Sequence, residues 1–208
     1  MVANKTPAES PVLTQRFVEA LGYAAKLHQY QRRKGKGQPY VGHLLGVAAI
    51  VIQHGGGEDQ VIAALLHDAV EDQGGIPRLD EIRQKFGGEV ARIVDGCTDS
   101  YEAHGEKRTW SERKRAYIAR VAKEPADVRL VSAADKLANA REILSDYRAE
   151  GDKVFDRFKG GKQGTLGYYR QLVDVFEQAG PSALVDELER VVSELEMLAA
   201  SGAARKKS

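Results

Sequence analysis

The stretch Val61-Ile62-Ala63-Ala64-Leu65-Leu66-His67-Asp68-Ala69-Val70-Glu71-Asp72 runs six apolar residues directly into an imidazole and three carboxylates. Alanine and leucine are strong helix formers. Their spacing predicts one helix over 59–72, with His67 stacked above Glu71 and Asp68 above Asp72. One surface then carries an imidazole and three acids. Anions that close repel one another and raise each other's pKa unless a cation sits among them, so the pattern asks for a metal. The plainer alternative is a solvated helix end, but acids at a helix C-terminus oppose the macrodipole.

Two further residues extend the candidate ligand set. His43 opens the apolar run 43–53, after the turn signal Gly37-Gln38-Pro39-Tyr40 and before Gly55-Gly56-Gly57, which places it at a helix N-terminus. Asp135 lies in the helical stretch 128–141, in its buried part, and a buried acid needs a partner. With His67 and Asp68 they supply two nitrogens and two oxygens, a set suited to Mn²⁺, Fe²⁺ or Zn²⁺. Ca²⁺ and Mg²⁺ prefer all-oxygen shells. Taken singly, His43 reads as a capping or core histidine.

These residues and their flanks carry a family resemblance. Ala25-Lys26-Leu27-His28-Gln29-Tyr30-Gln31-Arg32-Arg33-Lys34, Pro39-Tyr40-Val41-Gly42-His43, Ala64-Leu65-Leu66-His67-Asp68-Ala69-Val70-Glu71-Asp72, Val94-Asp95-Gly96-Cys97-Thr98 and Ala134-Asp135-Lys136-Leu137-Ala138-Asn139-Ala140-Arg141 fall in one order. The chain resembles the HD superfamily of metal-dependent phosphohydrolases, and within it the hydrolase domain of Rel/SpoT-type alarmone enzymes, over about residues 15 to 180. The resemblance implies one Mn²⁺, with Fe²⁺ or Zn²⁺ possible, on His43, His67, Asp68 and Asp135. It implies Glu71 and Asp72 as the acidic pair that positions and activates water. Arg33 and Lys34 become the basic pair beside the nucleotide, with Arg33 stacking on the base, and Asn139 a nucleoside contact. Lys136, Lys159 and Lys162 complete the expected substrate contacts. There are departures: the 34–39 loop is one residue longer than in the bifunctional enzymes and closer to the small stand-alone hydrolases. Leu44 replaces a proline that only pre-sets helical φ. Glu142 stands where some relatives have threonine, which bears on the nucleotide contacts.

The 208 residues, 42% hydrophobic and 29% charged, suffice for one core. The expected division is a flexible start over 1–9, an HD-type hydrolase domain over 10–200 and a flexible tail over 201–208. A net charge of +1 argues against a broad nucleic-acid surface. Local basic clusters at 32–36, 113–115 and 157–162 could still meet a polyphosphate, although a solvated face is the default for each. No run approaches the roughly 18 apolar residues of a membrane span, and the N-terminus is no signal peptide, so the expected location is cytoplasmic. Cys97 is the single cysteine and reads as a packing residue. His28, His54 and His104 read as structural or exposed.

The fold class expected is all-α, a single-domain bundle of about eight to ten helices near 10–30, 43–54, 59–72, 79–86, 88–99, 111–124, 126–149, 164–179 and 182–199. Ser10-Pro11 serves as the first cap. The polar segment 100–109 is the expected mobile, substrate-side loop, and the leucine and valine stripe of the last helix is either a packing face or a dimer contact, with packing the expectation.

The resemblance implies removal of the 3′-pyrophosphate from guanosine 3′,5′-bis(diphosphate) or its triphosphate form, with a purine nucleotide as the expected partner and neither nucleic acid nor membrane. The oligomeric state is not legible. A cation there polarises the phosphate and lowers the pKa of water from about 15.7 toward about 7. The chain is expected to hydrolyse and not synthesise, because no nucleotidyl-transfer domain follows. Adenine alarmones or the 2′-phosphate of NADPH are alternative substrates for the same site. A catalytically silent nucleotide sensor is the alternative from another class.

Overall fold

The computed structural model describes residues 12–99 and 109–205, with side chains to residue 201. Its order is α1 (Gln15–Leu27), α2 (Val41–Gln53), α3 (Glu58–Leu66), α4 (Ala69–Gln73), α5 (Gly75–Phe86), α6 (Gly88–Cys97), α7 (Trp110–Val121), α8 (Ala126–Glu150), a 3-10 helix (Gly151–Arg157), α9 (Gly161–Ala179) and α10 (Ala183–Arg205). Among the described residues there is no strand, and one isolated bridge joins Arg32 to Pro39. No described helix is long and apolar enough to cross a membrane.

The apolar run Val61–Leu66 is the centre of the fold. Every residue of Val61–Leu66 is buried, as a helix apolar on all sides must be. Around α3 pack α1, α2, α6 and α8. Truncating a leucine there to alanine would cost about 2–5 kcal/mol, because the surrounding helices cannot close the cavity. Two glycines let the chain turn tightly around this centre. A Cβ on Gly56 would overlap the Val51 side chain, and Gly74 takes φ 135° between α4 and α5.

Helix α8 is the second organiser. It contacts α2, α3, α6 and α10, and carries Asp135 into the buried interior. Against it, α10 buries Leu184, Val185, Leu188, Val192, Leu195 and Ala199, which makes its apolar stripe a packing face. Ion pairs Arg141–Glu187 and Arg148–Glu194 edge the contact.

Several boundaries move. The first helix starts at Gln15 with the Thr14 hydroxyl accepting from the Arg16 amide, whereas Ser10 and Pro11 lie outside the described residues. The last helix continues to Arg205, into the expected tail. The 3-10 turn after Gly151 was not expected, and it buries Val154 and Phe155. The segment 100–108, including His104, is outside the described residues.

Candidate metal centre and acidic pair

Helix α3 stops at Leu66, and the expected single helix over 59–72 is two helices joined by His67 and Asp68. The physical reason is visible at Asp68, whose φ −94° and ψ −2° lie in the bridge region between helical and extended backbone. The Asp72 amide still donates to the Asp68 carbonyl at 2.9 Å, so Asp68 and Asp72 remain one turn apart. What the break adds is aim: His67 and Asp68 face α2 and α8 at the end of the most buried helix.

Three helices converge there. His43, third residue of α2, places Nε2 3.2 Å from Asp135 Oδ1, and His67 Nε2 lies 3.5 Å from the same oxygen. Candidate ligand atoms of His43, His67 and Asp135 all fall within 4.8 Å of one another. Asp68 Oδ2 is 3.0 Å from His67 Nε2 and 3.7 Å from His43 Nε2. His67 Nδ1 sits 2.8 Å from the Ala64 carbonyl, to which it donates, leaving the Nε2 lone pair facing the cluster. Both Nε2 atoms are buried without a hydrogen-bond partner. Two orphaned imidazole nitrogens beside two carboxylates fit a divalent cation, which would satisfy all four at once.

The electrostatics agree. Burial alone would lower the His67 pKa, but Asp68 and Asp135 outweigh it and hold it well above the ordinary value. Burial would raise Asp135, yet Lys136, His43 and His67 hold it well below the usual carboxylate range. Asp68 is depressed against the same burial cost, chiefly by His67. The site is thus a field for positive charge, in which a proton on His67 and a divalent cation compete.

Glu71 and Asp72 lie on α4 at the solvent side of this cluster. Glu71 keeps solvent contact, but crowding by protein atoms, followed by the charges of Asp68 and Asp99, raises its carboxyl to about 7. The Asp99 amide approaches Glu71 Oε2 at 3.4 Å. Asp72 is also raised, by crowding of protein atoms first and then by Asp68, while the Gln31 amide, donating to Asp72 Oδ2 at 2.6 Å, works against that shift.

The segment between α1 and α2 folds back on itself, with Arg33 N–H donating to the Gln38 carbonyl and Tyr40 N–H to that of Gln31. It carries Arg33 to α8. The guanidinium donates to Asn139 Oδ1 at 2.7 Å and to Glu142, and lies over the Tyr40 ring, 5.5 Å from its centroid. Asn139 in turn donates to Asp135 Oδ1 at 2.5 Å, and the buried Lys136 ammonium to Asp135 Oδ2 at 2.6 Å. A cleft of about 330 Å³, lined by Arg33, Gln38, Pro39, Gly42, His43 and Glu142 among others, opens beside the cluster.

Asn139 and Lys136 therefore contact Asp135 directly, and Arg33 is joined to the cluster through Asn139. Lys34 and Lys159 are exposed on their turns. Lys162 is not brought to the cluster. Its ammonium donates to Asp152 at 2.7 Å and to the Ala199 carbonyl at 2.8 Å, tying α9 to α10, an arrangement that the glycine-rich context did not foretell. Lys36 likewise pairs with Asp146 of α8.

Three contributors escaped the sequence reading. Tyr40 donates from its hydroxyl to Asp68 Oδ2 at 2.6 Å; its place three residues before His43, in a quoted motif, was the available signal. Gln31 binds Asp72 across 41 residues of sequence, a relation that no local pattern encodes. His28 is buried and stacks on Tyr40 at 5.3 Å, so it is structural but not exposed.

Residues 20–166 match the HD domain family. Guanosine-3′,5′-bis(diphosphate) 3′-pyrophosphohydrolase MESH1 of Homo sapiens is 37% identical over 177 residues, 79% of this chain and 94% of that protein. The Mus musculus protein of the same name is 39% identical over 172 residues, 78% and 91% of the two chains. A solved structure described as "A metazoan ortholog of SpoT hydrolyzes ppGpp and plays a role in starvation responses" superposes with a TM-score of 0.73 at 29% identity, covering 90% of this chain and 98% of that one.

Proposed function

Because the chain belongs to the HD-domain family, we propose that it removes the 3′-pyrophosphate of guanosine 3′,5′-bis(diphosphate) or its triphosphate form, with Mn²⁺ on His43, His67, Asp68 and Asp135. The observation that carries this is the meeting of two unpartnered imidazole nitrogens with the Asp68 and Asp135 carboxylates, beside the acidic pair Glu71 and Asp72, which forms no salt bridge among the described residues. A divalent cation there supplies Lewis acidity toward the phosphate and makes water more acidic. Mn²⁺ suits two nitrogens and two oxygens, and its choice over Fe²⁺ or Zn²⁺ rests on the family pattern.

The chain's own groups do the rest. Glu71, with a pKa near neutrality, takes a proton from the attacking water, and Asp72 holds that water in line. The oxygen of water bonds to the phosphorus next to the 3′ oxygen, the bond from phosphorus to that oxygen breaks, and the 3′ oxygen leaves with the proton that Glu71 took from the water. The products are pyrophosphate and the 5′-phosphorylated guanosine. Lys136 offsets developing negative charge from beneath Asp135. Arg33, steadied by Glu142 and Asn139 over Tyr40, offers the purine a flat cationic face in the adjoining cleft. From this nucleotide substrate we infer a cytoplasmic location.

Arg33 presents its face to any purine, so adenine alarmones and NADPH compete for the same cleft. Purified protein with Mn²⁺ should convert the guanine alarmone to pyrophosphate and the matching guanosine 5′-phosphate, and lose the activity to chelator. Turnover of NADPH with none of either alarmone would replace this function with the phosphatase alternative.

A further inference from the structure

Asp72 lies at the surface, where an unrestrained carboxylate samples several rotamers. Here it does not stand alone. Its Oδ2 accepts from Gln31 Nε2 at 2.6 Å. An ionised carboxylate accepts only, which fixes the Gln31 amide with its nitrogen toward Asp72 and its oxygen away. That oxygen receives two donors, Gln73 Nε2 at 2.6 Å and His28 Nδ1 at 2.7 Å. The hydrogen-bond logic therefore puts the His28 proton on Nδ1, and Nε2 is buried without a partner.

The backbone of Gln31 is held on both sides as well. Its N–H donates to the His28 carbonyl at 3.0 Å, and its carbonyl accepts from Tyr40 N–H at 3.0 Å. His28 closes the arrangement by stacking on the ring of Tyr40, whose hydroxyl binds Asp68. One buried imidazole thus backs both the residue that holds Asp72 and the residue that holds a candidate metal ligand.

We propose that Gln31, braced by His28 and Gln73, is a positioning residue that locks one oxygen of Asp72 and leaves the other to orient the attacking water. This rests on the assignment of Asp72 to the acidic pair. A donor N–H serves this purpose better than a cation. Lysine or arginine at position 31 would compete for the metal-centre carboxylates, whereas a neutral amide restrains Asp72 with little change in local charge.

The test is steady-state kinetics on metal-loaded Gln31→Met, which keeps length and removes the donor. The expected result is a kcat lower by about 10- to 100-fold, the range for a hydrogen bond to a charged group, with KM within about 2-fold and metal content unchanged. His28→Asn, which can keep a donor near the Nδ1 position, should retain more activity than His28→Phe, which keeps the stacking ring alone. In single-turnover reactions, adding Gln31→Met to Asp72→Asn should cost less than about 2-fold, because the residue it positions is already gone. A merely structural role would give additive losses in that cycle. If Gln31→Met misfolds, Gln31→Leu, also uncharged and without the donor, gives the same readout. Folded Gln31→Met with wild-type kcat beside inactive Asp72→Asn would overturn the positioning role alone. Full turnover by Asp72→Asn would overturn the acidic-pair assignment and this inference with it.

Discussion

The Tyr40 hydroxyl donates to Asp68 Oδ2 across 2.6 Å, and so a residue of the turn before α2 restrains a candidate ligand that follows α3. Burial, then the Asp68 charge, pushes the phenol pKa far above its ordinary value, so Tyr40 stays a donor at any working pH. Tyr40→Phe keeps the ring against His28 and His43 and removes only this bond. It should weaken metal affinity by about 10- to 100-fold, the usual effect of losing a group that orients a ligand. Metal titration followed by activity checks this; unchanged affinity would make the contact incidental.

His43→Ala and Asp135→Ala should each lower both bound metal and turnover. In the wild type, Mn²⁺ at about 100 times its Kd should raise stability by about 2.7 kcal/mol, visible as a higher Tm, and neither variant should show that shift. Undiminished manganese in a purified variant would remove that residue from the ligand set.

Glu71→Gln should lower kcat on the order of 10²-fold or more with metal retained. The same change has a pH signature in the metal-free protein. The folded-state pKa of Glu71, about 7, lies above the usual glutamate value, so the folded state holds the proton more tightly and loses stability as pH rises through that window. Glu71→Gln should therefore raise the metal-free Tm at pH values above about 7 and leave it unchanged near about 4, below both the folded and ordinary pKa. An equal shift at both pH values would contradict the assigned cause.

Asp146 is buried and pairs with Lys36 and with Arg157, the latter at 2.6 Å. Burial would raise its pKa, but these two cations hold it below the ordinary value. Its contribution is present above the ordinary aspartate pKa and is lost as pH falls through the depressed one. Asp146→Asn should lower stability at neutral pH by removing its ion pairs with Lys36 and Arg157, although Arg157 keeps Glu150, and the loss should shrink in acid. Denaturant titration at two pH values measures it.

Arg33→Ala should raise KM for guanine and adenine alarmones alike, because stacking reads a purine face and not an edge. Lys162→Ala should lower Tm and leave KM in place, since its ammonium joins α9 to α10 through Asp152 and Ala199. A KM effect that tracks the number of substrate phosphates would return Lys162 to the substrate.

What was legible in the sequence followed from local chemistry. Val61–Leu66 announces a buried helix because no face of it is polar, and His67 with Asp68 at its end announces a site. The break at Asp68 was not legible, because the Tyr40 hydroxyl that donates to its carboxylate is brought there only by the tertiary fold. Gln31 and His28 stayed hidden for the same reason. Glutamine and histidine on a turn carry no signature until α4 brings Asp72 and Gln73 to them. Lys162 misled in the opposite direction: a lysine among glycines resembles a phosphate loop until the end of α10 supplies a carbonyl for it.

The central claim is that the His43, His67, Asp68 and Asp135 centre, with Glu71 and Asp72, directs water to the phosphorus beside the 3′ oxygen. The most direct measurement is product analysis after a single turnover of guanosine 3′,5′-bis(diphosphate) by metal-loaded protein in heavy-oxygen water. Equal amounts of GDP and pyrophosphate should form, with the heavy oxygen in pyrophosphate, and neither product should come from the Glu71→Gln, Asp72→Asn double variant with its metal in place. Stepwise release of single phosphates, or heavy oxygen in the nucleotide, would contradict it.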